Sequence, residues 1–329
     1  MNQLTQPRRT ETAVLAVLTG QPLAQAAARA GIDVDELSDA VALYRSAGQS
    51  ALADQAARGD WHQVRIQFTD WDTAETIAAT HLAPRLNALH DAALLGTWWY
   101  IRKAPCWRLR LLPAPGTDPA RLHAAVAETL GSLVVSEAIV RWRPTVYEPE
   151  ALAFGGPATM DTAHRLFHAD SRHLLDHALS ELSVGRRELS VLLCTALFRA
   201  ASQEWHEQGD VWHRVARMRP LPSDVTGEQL AQMSDALLRL MSTDLTSLFA
   251  PDGTLGFAAP WAAAFTQAGR EIGQIAQDGA LQRGTRDVLA HHVIFHWNRL
   301  GLAARAQAVL AHAAANVVMN PTETIGTGG

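Results

Sequence analysis

Apolar side chains recur every three to four positions along most of this chain, and every second position only in one early block. The Ala-rich stretch from Thr10 to Ala57 reads as three short helices over 10–18, 23–30 and 35–47, with breaks at Gly20-Gln21-Pro22 and Gly31-Ile32-Asp33. From Trp61 to Phe68 polar and apolar residues alternate, which is the period of a half-buried strand. A helix over 70–89, strands over 98–101 and 108–112 joined across Ala104-Pro105, a helix over 119–133 and a strand over 139–144 follow. That strand-helix-strand-strand-helix-strand order predicts a sheet with helices packed on one face. Beyond Tyr147 the helical period prevails, over 160–167, 171–182, 187–207, 209–218, 227–243, 259–278 and 283–301. The expected fold class is therefore α+β: a sheet with packed helices, then a mainly helical C-terminal half, preceded by a small helix-turn-helix-like module. The expected boundaries give a helical module over 1–57, a main domain over 58–316 and a flexible tail over 317–329.

Composition narrows the function classes. With 329 residues and 48% hydrophobic side chains, the chain can bury one large core or two modest ones. Its net charge of -5 offers no overall basic field, and the segment after the Gly31 turn carries Asp33, Asp35, Glu36 and Asp39. Phosphate repels such a helix, so a docking or packing module is the better reading there than a DNA-binding one. Cys106 and Cys194 are the two cysteines, too few for a disulfide framework and not in a C-x-x-C metal spacing. No run approaches the roughly 18 apolar residues of a membrane span, and residues 1–9 lack the apolar core of an export signal. The expectation is a soluble protein of a reducing cytoplasm.

Candidate chemistry lies in a few patches. On a strand, Arg108 and Arg110 project from one face with Leu109 on the other, making a two-guanidinium fork suited to a carboxylate or phosphate. The alternative is an exposed face making ordinary ion pairs. Arg102, on the neighbouring strand, is expected to join the fork. His292 and His296 are four apart and share a helix face, yet no third ligand stands at a fixed spacing, so no metal is assigned. His296 is a candidate general acid or base, because an imidazole exchanges protons near neutral pH; a packing role is the bland alternative. Arg299 follows it. Tyr147-Glu148-Pro149-Glu150 leads into Phe154-Gly155-Gly156-Pro157, an expected irregular loop in which Glu150 can anchor an arginine. In Phe167-His168-Ala169-Asp170-Ser171, Asp170 offers a carboxylate and Ser171 a helix cap. Trp98, Trp99, Trp107 and Trp142 lie close to the arginines in sequence, where they can line a peptide groove or fill the core.

Taken in order, Tyr100-Ile101-Arg102, Arg108-Leu109-Arg110, Tyr147 with Glu150 and Gly155-Gly156, Phe167 with Asp170-Ser171, and His296-Trp297-Asn298-Arg299 resemble the C-terminal elimination domain of class I lantibiotic dehydratases, in the free-standing form of thiopeptide-type bacteriocin biosynthesis proteins. The resemblance covers about residues 61–315. It implies a split enzyme of ribosomal-peptide maturation: a separate tRNA-dependent glutamylating protein esterifies Ser or Thr of a precursor peptide that carries a leader, and this chain eliminates glutamate to leave dehydroalanine or dehydrobutyrine. By the same resemblance His296, Arg108 and Arg110 are the catalytic candidates. Arg102, Arg299, Tyr147, Glu150 and Asp170 are the substrate-binding candidates. No cofactor and no metal are implied, and homodimerisation is common in that family. A further arginine that the family carries between Tyr147 and Gly156 has no counterpart here. Two other roles stay open: a thiopeptide pyridine synthase that joins two dehydroalanines in a formal [4+2] cycloaddition with loss of the leader, and a non-catalytic peptide-binding partner. The elimination reading requires His296 to fold back and face the arginine pair across a solvent-accessible cleft.

Overall fold

A computed structural model describes residues 7–180 and 184–319. The chain divides into two compact units, Met1–Gly59 and Asp60–Gly329. In the first, α1 (Pro7–Leu18), α2 (Leu23–Ala30) and α3 (Val34–Asp60) close around Val14, Ala26, Ala27, Leu37 and Val41. Helix α2 ends at the left-handed Gly31, and the Asp33 carboxylate accepts from the amides of Asp35 and Glu36 at the start of α3. Helix α3 outruns the expected end at residue 47. Gly48 lies within it at a cost of only about 1 kcal/mol, and no proline stands nearby to stop it.

The second unit begins with the predicted strand-helix-strand-strand-helix-strand order, α+β in class. Strands β1 (His62–Gln67), β2 (Leu95–Lys103), β3 (Cys106–Pro113) and β4 (Arg141–Thr145) form one antiparallel sheet in the order β2-β3-β1-β4. The expected helix over 70–89 is α4 (Ala74–Ile77), a π-turn (Ala78–Leu82) and α5 (Ala83–Asp91). Pro84 has no N–H to give and its ring crowds the preceding turn, so the wider turn absorbs the misfit. Helix α6 (Pro119–Val135) starts on an Asp118 cap. Val64, Ile66, Tyr100, Trp107, Leu109 and Leu111 point from one sheet face into a core with Leu82, Leu86, Leu122, Val126 and Leu130 of these helices. The side-chain alternation of the strands then sends Gln63, Arg65, Trp99, Arg108 and Arg110 to the opposite face.

The remaining chain is helical: α7 (Pro157–Asp176), α8 (Arg186–Ala200), α9 (Trp205–Met218), α10 (Gly227–Ala231), α11 (Ser234–Ser242), α12 (Leu245–Leu248), α13 (Ala259–Gln277), α14 (Thr285–Leu300) and α15 (Ala304–Met319). A sequence-based break before Ser171 does not occur. Asp170 and Ser171 sit mid-helix in α7, fully buried, and the Ser171 hydroxyl accepts from the Tyr100 amide instead of capping a helix. His168 Nδ1 lies 2.7 Å from the Trp98 carbonyl oxygen and 3.3 Å from its amide; the shorter contact assigns Nδ1–H as donor to the carbonyl. Helix α7 thus covers the free edge of β2 with side chains. Helix α13 packs against α8 through Gly269, where a Cβ would stand 2.3 Å from the Leu197 carbonyl oxygen. Helix α15 was not expected. It continues the chain past residue 317 to Met319, with Val318 buried against Gly209 of α9; residues 320–329 of the expected tail lie outside the described residues.

Candidate functional site

Three helices bring their polar groups to one buried carboxylate. Asp170 of α7 receives His296 Nδ1 of α14 at 3.0 and 2.9 Å, Arg299 Nε of α14 at 2.7 Å, and Trp261 Nε1 of α13 at 2.9 Å. His296 and Arg299 are three apart on α14, so one helix face delivers both to the same anion. Burial alone would raise the Asp170 carboxyl, but the charges and hydrogen bonds of His296 and Arg299 outweigh it and hold the group below the usual carboxylate range. With Nδ1 turned to the carboxylate, Nε2 is the free nitrogen of His296, and it has no hydrogen-bond partner. The His296 residue lines a small cavity of about 10 Å3, the size of one water, with Trp261, His177, Ser190 and Arg186.

Arg186, the first residue of α8, carries that cavity toward solvent, its side chain 41% exposed. It pairs with Glu75 of α4 at 2.6 Å, and Glu75 also pairs with Arg102. Burial raises the Glu75 carboxyl, yet hydrogen bonds and charge from Arg186 and Arg102 leave it lowered overall. Above Arg102, α14 ends on Gly301 at φ +78°, where a Cβ would meet the guanidinium at 2.5 Å. The left-handed conformation and the close approach both call for glycine there.

The arginine fork is placed differently from expectation. Arg108 and Arg110 do share a sheet face, but Arg102 projects from the other one, over the Trp107 ring at 4.7 Å, and does not join them. Period-two alternation accounts for it, since Arg102 follows Trp98 and Tyr100 and faces their core. Arg110 is buried, donates from Nε to Gln63 at 2.9 Å, and lies 4.0 Å over Trp99 and 5.2 Å over Tyr147. Burial lowers the Arg110 guanidinium to about 10; Tyr147 and Glu150 oppose this, and Arg108 and Arg299 add to it. Burial likewise pushes the Tyr147 phenol up, and its hydroxyl meets His164 Nε2 at 2.8 Å. Glu150 is exposed.

No open cleft joins His296 to Arg108 and Arg110: His296 is 1% and Arg110 2% exposed. What links the two regions is a run of ring contacts. Arg110 lies on Trp99, Trp99 on Phe167 at 4.7 Å, and the Arg299 guanidinium on Phe167 at 4.5 Å. Among the described residues no cluster of His, Cys, Asp and Glu could hold a metal, and no helix is long and apolar enough to cross a membrane. Sequence spacing gave no sign of Trp261, Gln63, Glu75 or Arg186, because each reaches the site from a different element.

The family model for the C-terminal part of lantibiotic biosynthesis dehydratases matches residues 61–318. The chain belongs to this family. Among solved structures it resembles the tRNA-dependent lantibiotic dehydratase MibB from Microbispora sp. 107891, with 18% identity, a TM-score of 0.59 and 80% of this chain covered. The chain spans about 28% of MibB's length. It also resembles TbtD, the pyridine synthase from thiomuracin biosynthesis (15% identity, TM-score 0.52), covering 79% of this chain and 97% of TbtD. TsrL is similar at 15% identity and a TM-score of 0.50, over 78% of this chain and 98% of TsrL. At these identities the likeness is one of fold. No curated protein matches the chain in sequence. The matched region begins at Trp61, so the helical unit before it lies outside the family's domain.

Proposed function

We propose that this chain is a lyase of peptide maturation that eliminates glutamate from glutamylated Ser or Thr of a precursor peptide. In the reaction a base removes the Cα proton, the Cβ–O bond breaks, the electron pair forms the Cα=Cβ double bond, and glutamate leaves as a carboxylate. The observation that carries this reading is the orientation of His296. Asp170 holds Nδ1, so Nε2 is the ring nitrogen left over for proton transfer, and His296 lines the cavity. Cations stand ready for the carboxylates: Arg186 at the cavity mouth, and Arg110 and Arg299, whose terminal nitrogens include buried atoms without partners. Arg108 and Arg110 are assigned to glutamate by the family resemblance alone; Arg110 and His296 are both buried here, so for them to act together the packing between them has to open. A cavity the size of one water admits the ester only if its lining opens.

A second reading is pyridine formation, favoured by the near-complete coverage of the pyridine synthase TbtD. In either case the partners are a leader-bearing precursor peptide and, for elimination, a separate tRNA-dependent glutamylating protein. A peptide-binding role without chemistry is the remaining alternative. Incubation of the purified protein with a glutamylated precursor, followed by mass spectrometry, separates the three. Loss of glutamate supports elimination, loss of the leader with ring closure supports cycloaddition, and an unchanged peptide supports binding alone. His296→Ala should abolish turnover with near-ultraviolet circular dichroism intact; full activity in that variant would remove the assignment.

A further inference from the structure

On the sheet face that carries Arg108 and Arg110, beyond the part that α7 and α14 cover, a second feature extends away from the residues assigned to glutamate and shares only Arg108 with them. Arg65 of β1 is paired in register with Arg108 of β3 on one side and Arg143 of β4 on the other, so three guanidiniums stand side by side across three strands. With strands about 4.8 Å apart the row spans roughly 10 Å. Two residues along the strands, Arg141 and Lys103 extend the same face at its two ends. Arg65 and Arg108 are half-buried, and Arg141, Arg143 and Lys103 are exposed. Among the described residues none of these five makes a salt bridge; Arg141 Nε donates to Gln67, and the buried Nε of Arg65 has no partner.

Side-by-side like charges repel and are unfavourable in an isolated sheet. A protein of net charge -5 that nonetheless concentrates five cations on one face has a surface complementary to an anion. We propose that this face holds an acidic stretch of the peptide on which the protein acts, laid across β3, β1 and β4. The planar forks match carboxylates two by two, which lysines would not. Nucleic acid fits less well. The strip is short, and its aromatic neighbours Trp99 and Trp61 are buried and give bases nothing to stack on. The proposal rests on the peptide-maturation reading only for the peptide's identity, and its test measures binding, so the two can fail separately.

Cys106 supplies the readout. It is half-buried at the tip of the β2–β3 hairpin, paired in register with Lys103, while Cys194 is fully buried. Alkylation of the native protein therefore reports on this face. A fluorescein-labelled octaglutamate should bind with strong salt dependence by anisotropy and slow Cys106 alkylation at least fivefold. A Gly-Gln peptide of equal length should do neither. The double variant Arg141→Gln/Arg143→Gln changes exposed residues only and should weaken octaglutamate binding at least tenfold; Arg65→Gln should act in the same direction. Octaglutamate that fails to protect Cys106, the neutral peptide protecting equally, or an RNA octamer protecting more strongly than octaglutamate would each overturn the proposal.

Discussion

Replacing Asp170 with Asn tests whether one carboxylate organises the buried site. The carboxylate is fully buried and accepts from three donors, at 2.7 Å from Arg299, 2.9 Å from Trp261 and 2.9 Å from His296. Asn keeps the volume and one acceptor oxygen, so the perturbation is chiefly electrostatic. It leaves the Arg299 guanidinium, also fully buried, without an anion within the described contacts. Breaking a buried pair from one side costs about 3–5 kcal/mol, because the remaining charge stays desolvated. Urea unfolding at pH 7 should therefore show Asp170→Asn less stable by about 3–5 kcal/mol with an unchanged m-value. Removing both charges, in Asp170→Asn/Arg299→Met, should recover much of that loss, giving a coupling of about 2 kcal/mol or more in a double-mutant cycle. A single-variant loss below about 1 kcal/mol, or strictly additive losses, would refute the claim that Asp170 compensates Arg299 in a dry interior.

Acid should weaken the fold well above the carboxylate range. Burial lowers His164 and His292 to about 4, Arg110 adding to the shift at His164 and Arg299 at His292, whereas an unfolded imidazole titrates near 6.5. Between those values the unfolded chain binds more protons than the folded one, so stability falls as pH drops from about 6.5 to 4, by up to about 3 kcal/mol for each residue. Urea midpoints that stay flat from pH 7 to 4.5 would contradict this. Gly301→Ala places a methyl at φ +78° against the Arg102 guanidinium and should cost about 1–2 kcal/mol, read as a lowered Tm; an unchanged Tm would sink it. Arg186→Ala should raise KM for the glutamylated peptide more than it lowers kcat if Arg186 receives the substrate carboxylate at the mouth, and equal effects on both would assign it elsewhere.

The sheet was readable because its alternation is strong. Trp61 to Phe68 and the Arg108-Leu109-Arg110 triplet each place opposite chemistries on opposite faces, and the antiparallel register preserves that split. Helix ends were read less well. Asp170-Ser171 looks like a capping signal, yet both side chains are consumed by tertiary partners, one by α13 and α14 and the other by the edge of β2. Helix α15 escaped notice because its stripe is largely alanine, whose weak hydropathy gives little periodic signal although the face packs fully against α9. The placement of Arg102 followed from strand parity and was misjudged by counting sequence proximity instead. Trp261 and Arg186 could not be found from spacing, since their roles exist only after α8 and α13 fold against α14.

The His168 and Ser171 contacts along β2 have a wider effect. A bare outermost strand is a template on which another extended chain can lay down a further strand, the usual route to fibrils and to strand-donation complexes. Here imidazole and hydroxyl occupy the Trp98 carbonyl and the Tyr100 amide, and a twenty-residue helix lies alongside. Backbone-to-backbone recruitment is blocked at these two groups, so an extended chain cannot pair with this border at its centre.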